Sequence, residues 1–237
     1  MWMTQAAWPA LICQLYDYYF ERTAAFFGAK TACESIHILW DQVSNVVKVA
    51  NNTILLKEKL QAEAWIYDFD GREQWHQVNV VNVPATSAQD CFPLLIPEKL
   101  DRVRFVRLLL RQGSAVLSEN FYWSPAKPGD CRELNTLKEL RLPVAMHTSL
   151  AGDSYTITVK VSNPNPAVAL AIRLKLLHGQ SDERILPAFY EDNYFSLVPN
   201  GEKIVRIRVS NSGLKGKIPR LSVSGWNIKL ELHSNLH

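Results

Sequence analysis

The chain has 237 residues, of which 47% are hydrophobic and 21% are charged, and its 26 basic and 23 acidic residues give a net charge of +3. These proportions are those of an ordinary globular protein and exclude a wholly disordered or collagen-like chain. No apolar run approaches the roughly 20 residues that a membrane-spanning helix requires, and so small a charge gives no reason to expect a nucleic-acid or membrane partner.

The first 35 residues predict a short strand followed by helix. The opening lacks the basic and apolar regions of a signal peptide, and Pro9 predicts the end of a strand because proline has no N–H to donate. Aromatic and aliphatic residues recur at helical spacings between Leu11 and Cys33, interrupted at Gly28, which predicts one or two helical segments. So small a unit cannot form its own core, so we expect it to pack on something larger.

The next 90 residues predict an immunoglobulin-like β-sandwich. Asp70-Gly71 lies between two strand-like runs and predicts a type I′ hairpin turn. Six strands are expected: Ile36–Trp40, Asn45–Asn51, Leu60–Phe69, Glu73–Val81, Arg102–Leu110 and Ala115–Trp123.

A second strand-rich block follows a linker rich in proline and glycine. The alternation of Tyr155–Val161 is typical of a half-buried strand. We therefore expect three parts: residues 1–35, a sandwich over 36–126, and a second sandwich over 127–237 that begins with a linker at 127–142. The expected strands of the last part are Val144–Leu150, Ser154–Ser162, Ala167–Leu177, Ile204–Val209 and Arg220–Leu232.

The residues predict no active site of their own. Asp17, Glu21 and Glu34 are the acids near the aromatic N-terminal segment, and on a helix we expect them to face solvent or cap an end. The histidines lack metal-ligand spacing and the four cysteines form no C-x-x-C pair, so we expect no metal and no cofactor. The tripeptide Asn51-Asn52-Thr53 is a formal N-glycosylation sequon.

Two groups of residues leave a choice between a structural role and sugar binding. Trp2 and Trp8 flank the predicted strand, and their rings either belong to a core or stack on a sugar. In the loop Tyr190–Phe195, Asp192 and Asn193 either hydrogen-bond sugar hydroxyls or form an Asx turn.

An ordered series of short motifs resembles glycoside hydrolase family 2, in the branch of exo-β-glucosaminidases, β-mannosidases and endo-β-mannosidases. Those similar to the end of that family's barrel are Trp2-Met3, Ala7-Trp8-Pro9, Gln14–Tyr19, Phe27–Lys30 and Ala32-Cys33-Glu34. Those similar to its last two immunoglobulin-like domains are Val49–Thr53, Tyr67–Gly71, Asn120–Trp123, Ile185-Leu186-Pro187, Asp192–Pro199 and Gly225-Trp226-Asn227.

The resemblance implies that residues 1–35 are the last strand and helix of a catalytic (β/α)8 barrel, followed by two sandwiches. It implies retaining hydrolysis of β-mannosides or β-glucosaminides, with catalytic glutamates upstream of Met1 and none in this chain, so the chain alone should be inactive. The implied partners are the remainder of the barrel and a carbohydrate substrate, and the implied location is secreted, periplasmic, or vacuolar or lysosomal.

The resemblance also implies site residues. Trp2 matches a tryptophan that lines the glycone pocket, Trp8 is a weaker match, and Asp192 and Asn193 match a loop that leans toward the barrel mouth. The alternative hypothesis is an autonomous carbohydrate-binding or adhesion module of two immunoglobulin-like domains, which would have no use for the barrel-like residues 1–35.

Overall fold

A computed structural model describes residues 5, 7–9, 14–179, 181–214 and 219–234. Its elements are, in chain order, α1 (Ala24–Ala32), β1 (Ile36–Asp41), β2 (Val46–Asn51), β3 (Lys57–Tyr67), β4 (Glu73–Val83), β5 (Ser87–Pro93), β6 (Arg104–Gln112), β7 (Ala115–Ser124), a 3-10 helix (Arg132–Thr136), β8 (Val144–Ala151), β9 (Ser154–Ser162), β10 (Ala169–His178), β11 (Ala188–Tyr190), β12 (Phe195–Leu197), β13 (Glu202–Ser210), α2 (Asn211–Leu214), β14 (Pro219–Ser224) and β15 (Glu231–His233).

The chain forms two compact units. One consists of residues 29–136 and is called the first sandwich; the other combines the described residues of 1–28 and 137–237 and is called the second sandwich. The mainly β fold with sandwich-like sheets is confirmed. The three-part division at residues 35 and 126, and the assignment of residues 1–35 to a barrel, stay predictions.

The first sandwich pairs a three-stranded sheet, β1-β2-β5, with a four-stranded sheet, β4-β3-β6-β7. Every second residue of β3 points into the core, which is why Leu60, Ala62, Ala64 and Ile66 are fully buried. Strand β5 was not predicted, because Ser87–Asp90 are polar and largely exposed.

The predicted hairpin between β3 and β4 forms, but its turn is not of type I′. Gly71 has φ of 85°, whereas Asp70 keeps a negative φ. The turn is closed by the backbone of Asp68 and Arg72, and the Asp68 carboxylate accepts a further bond from the Arg72 N–H at 2.8 Å. Because the Asp68 carboxylate bonds the backbone across the turn, the turn forms without a positive φ at Asp70.

The second sandwich repeats the strand order of the first. Its sheets are β8-β9-β13-β11 and β12-β10-β14-β15, so β8, β9 and β13 correspond to β1, β2 and β5, and β10 and β14 to β3 and β6. The alternation predicted for β9 is confirmed, since Ile157, Val159 and Val161 are fully buried. The predicted single strand over Arg220–Leu232 is wrong, because β14 ends at Ser224 and β15 begins at Glu231.

The described part of the N-terminal segment contains one of the one or two helical segments that the sequence predicts. This helix, α1, runs through Gly28 instead of breaking there. Just upstream of α1, the Asp17 side chain competes with helical backbone bonds. Its Oδ1 accepts bonds from the backbone N–H groups of Tyr19 and Glu21, both at 2.9 Å. The predicted strand near the start lies mostly outside the described residues. Gln5, which the structure describes, forms an isolated parallel bridge with Tyr16.

Candidate functional site

The loop that contains Asp192 and Asn193 is fixed by bonds within the protein. Asn193 is 4% exposed, and its amide pairs with the backbone of β10, accepting from the Leu174 N–H at 2.8 Å and donating to the Leu174 carbonyl at 2.9 Å. Asp192 accepts the Asn193 N–H at 2.8 Å and forms an ion pair with Lys203 at 2.6 Å. These contacts favour the turn interpretation, and substrate binding by either residue stays a prediction.

Of the two predicted tryptophans, the structure describes Trp8. Trp8 lies in a bend and is 67% exposed, so it is not part of a core. Trp2 lies outside the described residues, and its role stays a prediction.

A cluster of four charged residues attaches the N-terminal segment to β10 of the second sandwich. The Glu21 carboxylate bonds Arg173 at 2.7 Å with one oxygen and Arg184 at 2.8 Å with the other, and Asp17 also bonds Arg184 at 2.8 Å. Burial lowers the pKa of the Arg173 guanidinium, but its hydrogen bond to Glu21 and the attraction of nearby negative charge, chiefly that of Glu21, together more than offset this, so the pKa is raised. We call Asp17, Glu21, Arg173 and Arg184 the ion cluster.

The ion cluster corrects the prediction that the N-terminal acids face solvent. Glu21 is only 7% exposed, because two arginines more than 150 residues away in sequence neutralise it. No local pattern marks these partners, so sequence reasoning missed them. Both carboxylates are engaged by guanidinium groups, which leaves neither Asp17 nor Glu21 available as a nucleophile or proton donor.

The same segment presents an exposed group of aromatic side chains. Trp8, Tyr18, Tyr19 and Phe20 are 67%, 41%, 50% and 68% exposed. Tyr18 and Tyr19 pack edge to face with ring centroids 5.1 Å apart, and the Arg184 guanidinium lies 4.7 Å from the Tyr19 centroid. The ion cluster therefore contacts the Tyr19 ring through Arg184. We call Trp8, Tyr18, Tyr19 and Phe20 the aromatic surface.

A buried serine, a buried histidine and a partly exposed glutamate in the first sandwich have the composition of a hydrolase triad but not its geometry. The Nδ1 atom of His37 faces both Glu34 Oε2, at 3.4 Å, and Ser118 Oγ, at 3.5 Å. A triad needs the acid and the serine on different ring nitrogens. Ser118 is 2% exposed, donates to Glu34, and accepts the Ile38 N–H at 3.2 Å. The group therefore joins β1 to β7 and lacks the arrangement of a triad.

The described residues contain no group of three or more side chains suited to hold a metal ion. Among the same residues, no helix is long and apolar enough to cross a membrane.

Comparison with known proteins shows that the chain is similar to part of several glycosidases. Residues 120–228 match the model of the exo-beta-D-glucosaminidase Ig-fold domain. The chain is 27% identical to the exo-beta-D-glucosaminidase of Arthroderma benhamiae, over 98% of its own length and 28% of that protein. It is 25% identical to the mannosylglycoprotein endo-beta-mannosidase of Lilium longiflorum, over 100% of its length and 31% of that protein.

The fold matches a solved structure equally well. The exo-chitosanase of Amycolatopsis orientalis superimposes with a TM-score of 0.91 at 23% identity, over 99% of this chain and 30% of that one. The chain thus spans less than a third of the length of the relatives it matches. These findings confirm the resemblance carried by its residues: in sequence and fold, the chain is similar to part of a glycoside hydrolase family 2 enzyme of the exo-β-glucosaminidase and β-mannosidase branch.

Proposed function

We propose that this chain is the C-terminal portion of a retaining β-glycosidase that hydrolyses β-linked mannosides or glucosaminides. In this proposal residues 1–35 complete the wall of a catalytic (β/α)8 barrel, and the sandwiches over 36–126 and 127–237 buttress it. The observation that carries the proposal is the exposed aromatic surface, whose Tyr19 ring lies against Arg184 of the ion cluster.

The aromatic surface supports an attachment role because displaying large rings to water is unfavourable. Burying a side chain of this size contributes about 1.5–3 kcal/mol, and contiguous exposed apolar patches mark sites of association. Four such exposed rings lie within 13 residues, from Trp8 to Phe20. The rest of a barrel is the partner that the resemblance supplies.

The proposed reaction needs two carboxylates that the described residues do not offer. Retaining glycosidases use a protonated acid and an ionised nucleophile about 5–5.5 Å apart. The nearest approximation in the N-terminal segment, Asp17 and Glu21, is bound to arginines. The acid and the nucleophile would therefore come from the remainder of the enzyme, and the chain alone would be inactive.

Substrate contact is proposed for Trp8 and, through the resemblance alone, for Trp2. The exposed indole of Trp8 is free to stack on the apolar face of a sugar ring. Asp192 and Asn193 would have to release Lys203 or the Leu174 backbone before they could bind a hydroxyl, so we propose that they shape the loop.

The test is an assay of aryl β-mannosides and aryl β-glucosaminides with this chain alone and with the full-length gene product that carries it. We expect turnover only by a longer product, and we expect W8A to lower that turnover while V43S, at a 99% exposed position, leaves it unchanged. Turnover by the chain alone would overturn the proposal. Binding of the chain alone to chitosan or mannan, lost in W8A, would instead favour the autonomous binding module.

A further inference from the structure

Three consecutive aliphatic side chains project into solvent from one loop of the first sandwich. Ile54, Leu55 and Leu56, between β2 and β3, are 87%, 63% and 53% exposed. Single exposed aliphatic residues are common, but a run of three is a feature that folding alone does not favour. We call these three residues the aliphatic loop.

The aliphatic loop is held by the side chains of residues that precede it. The Leu55 carbonyl accepts a bond from Asn51 Nδ2 at 2.9 Å. Thr53 in turn donates its N–H and hydroxyl to Asn51 Oδ1 at 3.0 and 2.7 Å, and its carbonyl accepts the Thr86 N–H at 3.0 Å. The three side chains are therefore displayed on an ordered frame, which lowers the entropy lost when a partner binds.

The second sandwich provides an internal comparison, because it builds an equivalent turn without exposed isoleucine or leucine. Asn163 directly follows β9, whereas Asn51 is the last residue of β2, and the Asn163 amide donates to the Ala167 carbonyl four residues on at 2.9 Å. With the two asparagines aligned, Pro166, Ala167 and the buried Val168 stand where the first sandwich has Ile54, Leu55 and Leu56. The frame thus forms without Ile54, Leu55 and Leu56, so these side chains are not needed to build it.

We propose that the aliphatic loop docks onto an apolar surface of the remaining polypeptide of the same glycosidase, an inference that rests on the proposed function. The relatives leave more than two thirds of their length outside the region that this chain matches, so such an enzyme has ample surface to cover the loop. A second copy of this chain is the weaker occupant. Three side chains offer far less than the roughly 800 Å² per partner that a stable dimer buries.

The experiment compares the isolated chain with the full-length gene product that carries it. A thiol introduced by L55C, and a control thiol introduced by V43C, are labelled with a maleimide, and each site is followed by peptide mass spectrometry. In the longer product we expect the L55C thiol to react at least about tenfold more slowly than in the isolated chain, because it reacts only when the interface opens. The V43C thiol, at a 99% exposed position, should react equally fast in both.

A second variant separates docking from a structural role. I54S/L55S/L56S should lower the thermal midpoint of the longer product and leave that of the isolated chain unchanged. Equal labelling of the L55C thiol in both proteins, or an equal fall of both midpoints, would overturn the inference and leave the proposed function standing. A gene product no longer than this chain would overturn the proposed function and, with it, the inference.

Discussion

Asn51 and Asn163 occupy equivalent positions in the two sandwiches and make the same bonds. Asn51 is the last residue of β2 and Asn163 directly follows β9, and both are almost fully buried. The Asn51 amide donates to the carbonyls of Leu55, Val83 and Pro84 at 2.9, 3.1 and 2.9 Å. Asn163 donates to those of Ala167, Leu197 and Val198 at 2.9, 3.0 and 3.2 Å. One side chain thus connects a loop to the end of a strand in the opposite sheet, in both halves of the chain.

We expect N51A and N163A each to destabilise their sandwich by about 2–4 kcal/mol, because each leaves buried carbonyl groups without a donor. Urea denaturation followed by circular dichroism measures the effect. N52A is the matched control, since Asn52 is exposed and should change the free energy of unfolding by less than about 0.5 kcal/mol. If N51A lowers the free energy of unfolding as little as N52A does, the stabilising role of the Asn51 amide is contradicted.

The same contacts bear on the sequon Asn51-Asn52-Thr53. A glycan on Asn51 Nδ2 would have to leave a site with no exposed surface and would break bonds to three carbonyls. We expect the folded protein secreted from a eukaryotic host to carry no glycan at Asn51. Intact mass spectrometry with and without glycosidase treatment checks this, and a glycosylated, folded product would show the site to be open.

The sequence was sufficient for the sandwiches but not for the way the N-terminal segment attaches. Alternation of apolar and polar residues predicts β9 because burial on one face of a sheet is a local property of the strand. The position of Glu21 is not local, because it depends on Arg173 and Arg184. Strand β5 was missed because it begins with mostly polar residues. The bonds of Asn51 were missed because a sequon does not reveal which carbonyl groups surround the asparagine.

Removal of the Glu21 carboxylate should release the N-terminal segment. E21A leaves Arg173 and Arg184 without their shared partner, and because these arginines keep about 30% of their side chains exposed, we expect a loss of about 1–3 kcal/mol, below the value for a fully buried pair. Trypsin should then cleave faster after Arg22, and mass spectrometry measures the rate of this cleavage. E183A removes an exposed acid and serves as the control. Equal rates of cleavage after Arg22 in E21A and E183A would argue against the ion cluster as the attachment of the N-terminal segment.

Cys91 should be almost inert toward alkylation in the folded protein. Burial, and then the neighbouring Asp90 charge, raise the pKa of the Cys91 thiol to about 12. At pH 8 its thiolate fraction is then on the order of 10⁻⁴, about a thousandfold below that of an ordinary thiol. Because the thiolate is the reactive form, the alkylation rate of Cys91 should rise about tenfold for each pH unit between 7 and 9.

Iodoacetamide labelling with peptide mass spectrometry resolves Cys91 from the exposed Cys33. We expect Cys33 to be modified first in the native chain and both to react at similar rates in urea. Comparable native rates would mean that the Cys91 side chain opens to solvent far more often than its burial implies.

Gly225 should tolerate no side chain, whereas Gly28 should accept one with benefit. A Cβ at Gly225 would lie 2.6 Å from Ile228 Cγ1 and 2.9 Å from the Leu170 carbonyl oxygen. Neither atom can yield, because Ile228 belongs to the core and the Leu170 carbonyl accepts the Trp226 N–H at 2.9 Å. We expect G225A to lower the free energy of unfolding by about 1–3 kcal/mol, because the site becomes overpacked.

At Gly28, inside α1, a Cβ meets nothing within 4 Å, so G28A should stabilise the chain by about 0.5–1 kcal/mol through the better helix propensity of alanine. Thermal unfolding of the two variants should therefore shift in opposite directions, and a shift of both midpoints to lower temperature would show that α1 is packed more tightly than its open surroundings indicate.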